Sequence, residues 1–280
     1  MSSANTGTSL SASQQIQRRC ITVNGVELAM LEVGSGPSVI LVHGSVTTSE
    51  LFRDTLAYFS DRYHLVAVDL RGYGHSQKPG FSYTMKQFAD DVSGLIEAMQ
   101  LGPIVLLGVS MGGFVAQRFA LDYPEKLAGL VLCATSNGEL AEGLLDEGDV
   151  AESVKRVGWR AFSQEMITGA FPPGTDPALV QPLIAQIDTW NEKVIVGATE
   201  SIKQFSTRNQ LHQIKVPTLL MAGGEDQQLP VSFSQRIADE IPEAHLEVFD
   251  GVGHFMMIED PNRFHGILEI FLAKIWKEAA

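Results

Sequence analysis

The sequence predicts an α/β protein in which a mostly parallel, doubly wound sheet is interrupted once by a block of helices. Three observations carry that expectation. The stretches "SVILVHG", "HLVAVDL", "PIVLLGVS" and "LAGLVLCAT" are near-continuous runs of Val, Ile and Leu, as strands buried on both faces require. Helical patterns separate them. The alternation then stops after residue 136 and resumes near residue 209 with "PTLLMAGGED" and "AHLEVFDG".

In chain order, residues 1–17 read as a mobile polar tail, "MSSANTGTSLSASQQ" lacking the basic start and apolar centre of a secretion signal. "ITVNGVELAMLEVG" alternates about Asn24-Gly25 and predicts an antiparallel hairpin. Helices are expected over "TTSELFRDTLAYF", "TMKQFADDVSGLIEAMQ" and "GGFVAQRFALDY". Residues 18–136 and 209–280 then form the core, and 137–208 a helical cap built from "AESVKRVGWRAFSQEMI", "DPALVQPLIAQIDTW" and "EKVIVGATESIKQF". A last helix, "PNRFHGILEIFLAKIWK", opens with Pro261 in its first turn.

Composition limits the function classes. A chain of 280 residues with 45% hydrophobic and 19% charged residues can build one large core. Its formal net charge of -13 opposes nucleic acid and anionic membrane surfaces, and no apolar run is long enough to span a bilayer. Cys20 and Cys133 lie in strand-like segments without CxxC spacing, which reads as two reduced core thiols in a cytoplasmic protein. The acidic run Glu139, Glu142, Asp146, Glu147, Asp149 and Glu152 reads as a solvated helix face that disfavours anionic substrates.

The chemistry centres on "GVSMGG". Gly108-Val109-Ser110-Met111-Gly112 stands where a buried strand turns directly into a helix, which is the setting of a nucleophile elbow. The glycines follow from steric need, since a turn this tight brings strand and helix backbones together on either side of the serine. A serine hydroxyl needs a base, and a base needs an orienting carboxylate. His254, in the glycine-containing loop of "DGVGHFMMIEDP", is the expected base; His64, His212, His245 and His265 read as surface or satisfied core residues. Asp226, at the end of "PTLLMAGGED", is preferred as the carboxylate over adjacent Glu225 and over Glu139. For the oxyanion, the Met111 N–H is one expected donor and Ser45 or Val46, after "LVHG", the other. "HGS" also reads as a strand-ending turn with Thr47, Thr48 or Ser49 as helix cap, and His43 is not assigned a catalytic part.

The pieces "LVHGS", "VAVDLRGYGHS", "GVSMGGFVA", "PTLLMAGGED" and "GVGHFMMIEDP" together resemble the α/β-hydrolase superfamily over residues 18 to 278. The resemblance implies an eight-stranded sheet, a cap between the sixth and seventh strands, and catalytic parts for Ser110, Asp226 and His254. It points to small esterases, enol-lactone hydrolases, perhydrolases and the C–C bond hydrolases of aromatic breakdown. Members with Asp at the elbow, haloalkane dehalogenases and epoxide hydrolases, are set aside by Ser110. C–C hydrolases usually have Asn where this chain has Val109.

The reading is a serine hydrolase of a small to medium, largely apolar ester or lactone, with no metal or organic cofactor. Its alternatives are C–C cleavage of a vinylogous diketone and a hydrolase-like receptor with a moving cap. Val46, Val109, Trp159, Phe162, Met166, Phe171, Trp190 and Phe255 are the expected pocket residues. The oligomeric state is left open.

Overall fold

The computed structural model describes residues 15–81, 83–139 and 150–278. Residues 1–14 of the expected polar tail and the acidic residues Glu142, Asp146, Glu147 and Asp149 therefore lie outside the described residues, while Gln17, expected to end the tail, is the first residue of a strand.

An eight-stranded sheet carries the fold, in the spatial order β1-β2-β4-β3-β5-β6-β7-β8. The hairpin forms as its Asn-Gly signal requires. β1 (Gln17–Val23) pairs antiparallel with β2 (Val26–Val33), and Asn24 and Gly25 take φ of 49° and 75° between them. β2 pairs antiparallel with β4 (His64–Val68). From there β3 (Ser38–Val42), β5 (Ile104–Val109), β6 (Leu127–Cys133), β7 (Thr218–Gly223) and β8 (Ala244–Phe249) all run parallel. β5 and β7 are buried at every position, which is why they read as unbroken apolar runs rather than alternating ones.

Helices α1 (Arg53–Phe59), α2 (Met85–Ala98) and α3 (Met111–Asp122) connect the first parallel strands, and α8 (Val231–Glu240), α9 (Met256–Glu259) and α10 (Pro261–Glu278) follow β7 and β8. Thr48 caps a short 3-10 turn before α1. The chain enters the parallel part of the sheet at β3, runs outward to β4, then returns across β3 to start β5. The carboxyl ends of β3 and β5 thus border the point where strand order reverses, the usual position of a crevice in open α/β sheets.

Between β6 and β7 stand α4 (Val150–Val157), α5 (Trp159–Thr168), α6 (Pro177–Ile184) and α7 (Glu192–Gln204). Two expected helices are broken here. The first splits at Gly158, whose φ of 84° no right-handed helix accommodates. The second ends at Ile184, after Pro182 within its only full turns, and a separate 3-10 turn covers Ile187–Thr189. Another expectation fails at Cys20, which is exposed because β1 is the sheet's edge strand and is largely exposed along its length; Cys133 is buried. Among the described residues no helix is long and apolar enough to cross a membrane.

Candidate functional site

Ser110 is the turn between β5 and α3. Its φ of 56° and ψ of -118° lie where side chains are strained, and such strain persists only when the surroundings over-determine it. They do so here through close backbone approach. A Cβ on Gly108 would stand 2.1 Å from the Gly112 carbonyl oxygen, one on Gly112 2.2 Å from that of Val42, and one on Gly113 2.5 Å from the Thr135 side chain. The Ser110 backbone is tied on both sides, its N–H donating to Cys133 O at 2.9 Å and its carbonyl accepting from Gly113 N–H at 2.8 Å and Thr135 Oγ1 at 3.0 Å.

Beside it lies the loop after β3. Gly44 is close enough that its Cβ would touch that of Ser110 at 3.2 Å. His43 holds this loop from below. Its Nε2 accepts from Leu70 N–H at 3.0 Å, which puts the proton on Nδ1, 2.7 Å from Gly44 O. Complete burial lowers its pKa against the opposing charge of Asp69, so the ring is a neutral structural member.

The opposite wall comes from the ends of β7 and β8. His254 Nδ1 lies 2.7 Å from Asp226 Oδ2, with both residues buried. The other Asp226 oxygen accepts from Gln228 N–H at 2.9 Å and Leu229 N–H at 3.0 Å. The carboxylate is thereby satisfied in its ionised form and locks the imidazole tautomer. The sequence rivals sit elsewhere: Glu225 is exposed, and Glu139 pairs with Arg208 at 3.1 Å and with Arg236. His64 and His265 are hydrogen-bonded structural residues, to Ser38 and Glu32 and to Thr55 respectively.

Ser110 and His254 line one cavity, together with Gly44, Ser45, Val46, Thr47, Met166, Gln228 and Phe255. The space is about 10 Å³, enough for a single water. No hydrogen bond joins Ser110 Oγ to His254 among the described residues. Met111 is the first residue of α3, so its N–H has no intrahelical acceptor; Ser45 and Val46 both border the cavity.

Three of the eight expected pocket residues, Val46, Met166 and Phe255, line this cavity. The rest do not. Val109 is a fully buried strand residue, and Trp190 packs on Tyr73 and donates to Ser163 Oγ at 3.2 Å. Phe171 lies behind the cavity lining, its ring tilted by 47° against that of Phe255. Phe162 packs against the core, and Trp159 borders a separate, open cavity of about 1000 Å³ with Lys78, Phe81, Tyr83 and Lys193. Apolar residues at helical spacing have served here as core.

Two contributors are absent from the sequence reading. Gln228 lines the cavity and its Nε2 donates to Met166 O at 2.7 Å; its position two residues after Asp226 in a turn was the available signal. Glu259 accepts hydrogen bonds from Gly253 and Phe255, on either side of His254. An acidic residue in the first turn after "GHF" resembles the carboxylate of a capping box. The inserted segment reaches the site through Met166 of α5 and through Ala170 O, in the turn after α5, which accepts from His254 N–H at 2.9 Å; Gln186 Oε1 accepts from Thr48 Oγ1 at 2.7 Å beside the loop after β3. Among the described residues no cluster of His, Cys, Asp and Glu could hold a metal ion.

An elbow serine and a buried, carboxylate-bound histidine thus meet at the carboxyl edge of the sheet. Residues 39–266 match the alpha/beta hydrolase family, and the chain belongs to it. It is similar to 3-oxoadipate enol-lactonase 2 of Acinetobacter baylyi, 27% identical over 241 residues that cover 85% of this chain and 89% of that protein. It is also similar to 2-hydroxy-6-oxo-2,4-heptadienoate hydrolase of Pseudomonas putida, 27% identical and covering 91% and 96%. Among solved structures, a thermophilic esterase from Thermogutta terrifontis superposes with a TM-score of 0.83 at 29% identity, over 92% of this chain and 99% of the esterase.

Proposed function

We propose that the chain is a serine hydrolase of carboxylic esters or lactones, acting through an acyl-enzyme on Ser110. The observation that carries the reading is the cavity shared by Ser110 and His254, with Asp226 bound to the far side of the imidazole. His254 Nε2 takes the Ser110 proton as Oγ attacks the carbonyl carbon, and Asp226 stabilises the imidazolium that results. The Met111 N–H and a second N–H from Ser45 or Val46 receive the oxyanion. His254 then returns the proton to the departing alkoxide, and activates the water that releases the acid.

The apolar side chains of Val46, Met166 and Phe255 suit an uncharged acyl group. Since the cavity holds only one water, substrate entry requires movement of Met166 or Phe255, and with Met166 the inserted helices. The relatives named as an enol-lactonase and an esterase support the ester and lactone class. C–C bond cleavage is the second reading, favoured by the similarity to the heptadienoate hydrolase along nearly the whole chain.

The test is hydrolysis of activated esters of increasing acyl length, several lactones and a coloured dienol diketone, by the native chain and Ser110→Ala. Ester or lactone turnover that drops by about 10⁵-fold in Ser110→Ala is the expected result. Retention of most of the rate by Ser110→Ala would overturn the mechanism, and turnover of the dienol alone would transfer the assignment to C–C cleavage.

A further inference from the structure

Three consecutive N–H groups around His254 are each held by a separate oxygen. Gly253 N–H donates to Glu259 Oε2 at 2.9 Å, His254 N–H to Ala170 O at 2.9 Å, and Phe255 N–H to Glu259 Oε1 at 3.1 Å. One carboxylate therefore grips the backbone on both sides of the histidine, while the turn after α5 holds the middle. The loop has no slack on its outer side either, because a Cβ on Gly253 would stand 2.7 Å from Pro172 Cδ and 2.8 Å from Ala170 O.

We propose that Glu259 is a positioning residue for His254, its carboxylate fixing the loop so that the ring keeps Nδ1 on Asp226 and leaves Nε2 for Ser110. The proposal rests on the serine-hydrolase reading for what His254 does, and on geometry alone for how it is held. A plain helix cap accounts for less than is seen. Glu259 belongs to the four-residue α9, and its bond to Phe255, the residue before that helix, is an ordinary cap. Its second oxygen reaches Gly253, two residues further back and outside any cap.

The carboxylate also acts through charge. His254 and Asp226 are the titratable groups that influence Glu259; burial, the largest influence, raises its pKa, Asp226 adds to that, and His254 opposes it. The interaction with His254 works both ways, so an ionised Glu259 favours the imidazolium that forms once Ser110 has given up its proton.

Glu259→Gln keeps one acceptor oxygen and removes the charge, whereas Glu259→Ala removes both. The experiment compares both variants with the native chain and with Ser110→Ala, reading kcat, KM and the pH profile on a p-nitrophenyl ester. NMR titration of the His254 imidazole is run beside it and needs no substrate. Glu259→Gln is expected to lower kcat about 10-fold with KM changed less than about 2-fold, and Glu259→Ala about 100-fold. Losing the carboxylate's charge removes an interaction that favours imidazolium, so the acid limb of kcat/KM and the His254 titration are both expected to move to lower pH. A folded Glu259→Gln protein with native kcat and an unmoved His254 titration would leave Glu259 a helix cap and overturn the proposal. A native chain that turns over no ester, yet whose His254 titration moves in Glu259→Gln, would support the positioning and sink the hydrolase reading instead.

Discussion

At the β5–α3 turn, Ser110 is placed by backbones that nearly touch: Gly108, Gly112 and Gly113 have no room for a methyl group. At the loop after β8, His254 is placed by hydrogen bonds that converge from Asp226, Glu259 and Ala170, which belong to three different segments. The serine side is a rigid steric arrangement within the core sheet. The histidine side adds converging hydrogen bonds to a close approach of its own, since a Cβ on Gly253 would meet Pro172 and Ala170, and it shares a partner with the inserted segment. On the proposed mechanism, a movement of the inserted segment would act on His254 and leave Ser110 in place. Substitutions of the supporting residues should divide accordingly, with loss of stability dominating at the glycines packed around Ser110 and loss of rate at the hydrogen-bond partners of His254.

Asp226→Asn offers the strongest break on the histidine side. It leaves the shape intact but reverses the hydrogen bond to His254 Nδ1, and kcat should fall about 10⁴-fold, whereas Glu225→Gln on the exposed neighbour should stay within about 2-fold. Ester assays of the two purified variants decide this, and equal losses would dissolve the assignment of the carboxylate.

Glycine substitutions sharpen the steric half. Gly112→Ala drives a methyl group into the Val42 and His43 carbonyls and should cost about 3 kcal/mol or more in urea unfolding. Gly251→Ala, in the histidine loop, meets nothing within 4 Å and carries only the conformational penalty of its φ of 73°, about 1 kcal/mol. Similar costs at both positions would mean that close approach is not what holds the turn at Ser110.

A smaller effect comes from pH. Burial lowers the folded-state pKa of His43, beneath Ser110, and of His265, which bonds Thr55. As pH falls through about 6.5 the unfolded chain takes up protons that the folded chain refuses. Stability should therefore decline below that pH, by as much as about 1.4 kcal/mol per pH unit for each proton. Denaturation midpoints at pH 7.5 and 5.5 test the sign. The mildest contrast concerns the two thiols: Cys20 on the edge strand should react at once with a thiol reagent and leave activity unchanged. Cys133, buried at the end of β6 with its pKa pushed up, should react only on unfolding.

Much of the architecture was legible because it depends on neighbours along the chain. The Asn24-Gly25 turn, the apolar runs of β3 to β7 and the glycine spacing around Ser110 each record a local demand of backbone geometry. Asp226 and His254 were legible at one remove, since parallel strands deliver their following loops to a common edge and the candidates at those positions were few. The pocket was not. Val109 and Val46 are the same residue type, yet one faces the core and the other the cavity, and Trp159, Phe162, Phe171 and Trp190 were indistinguishable from Met166 until the inserted helices had positions. The double grip of Glu259 likewise depends on how α9 folds back against Gly253. Local strand, turn and elbow were determined by the sequence itself, because sterics act between residues close along the chain. The lining of the cavity and the hold on His254 were decided only by tertiary packing, which alone brings residues 44, 166, 228 and 259 to one site.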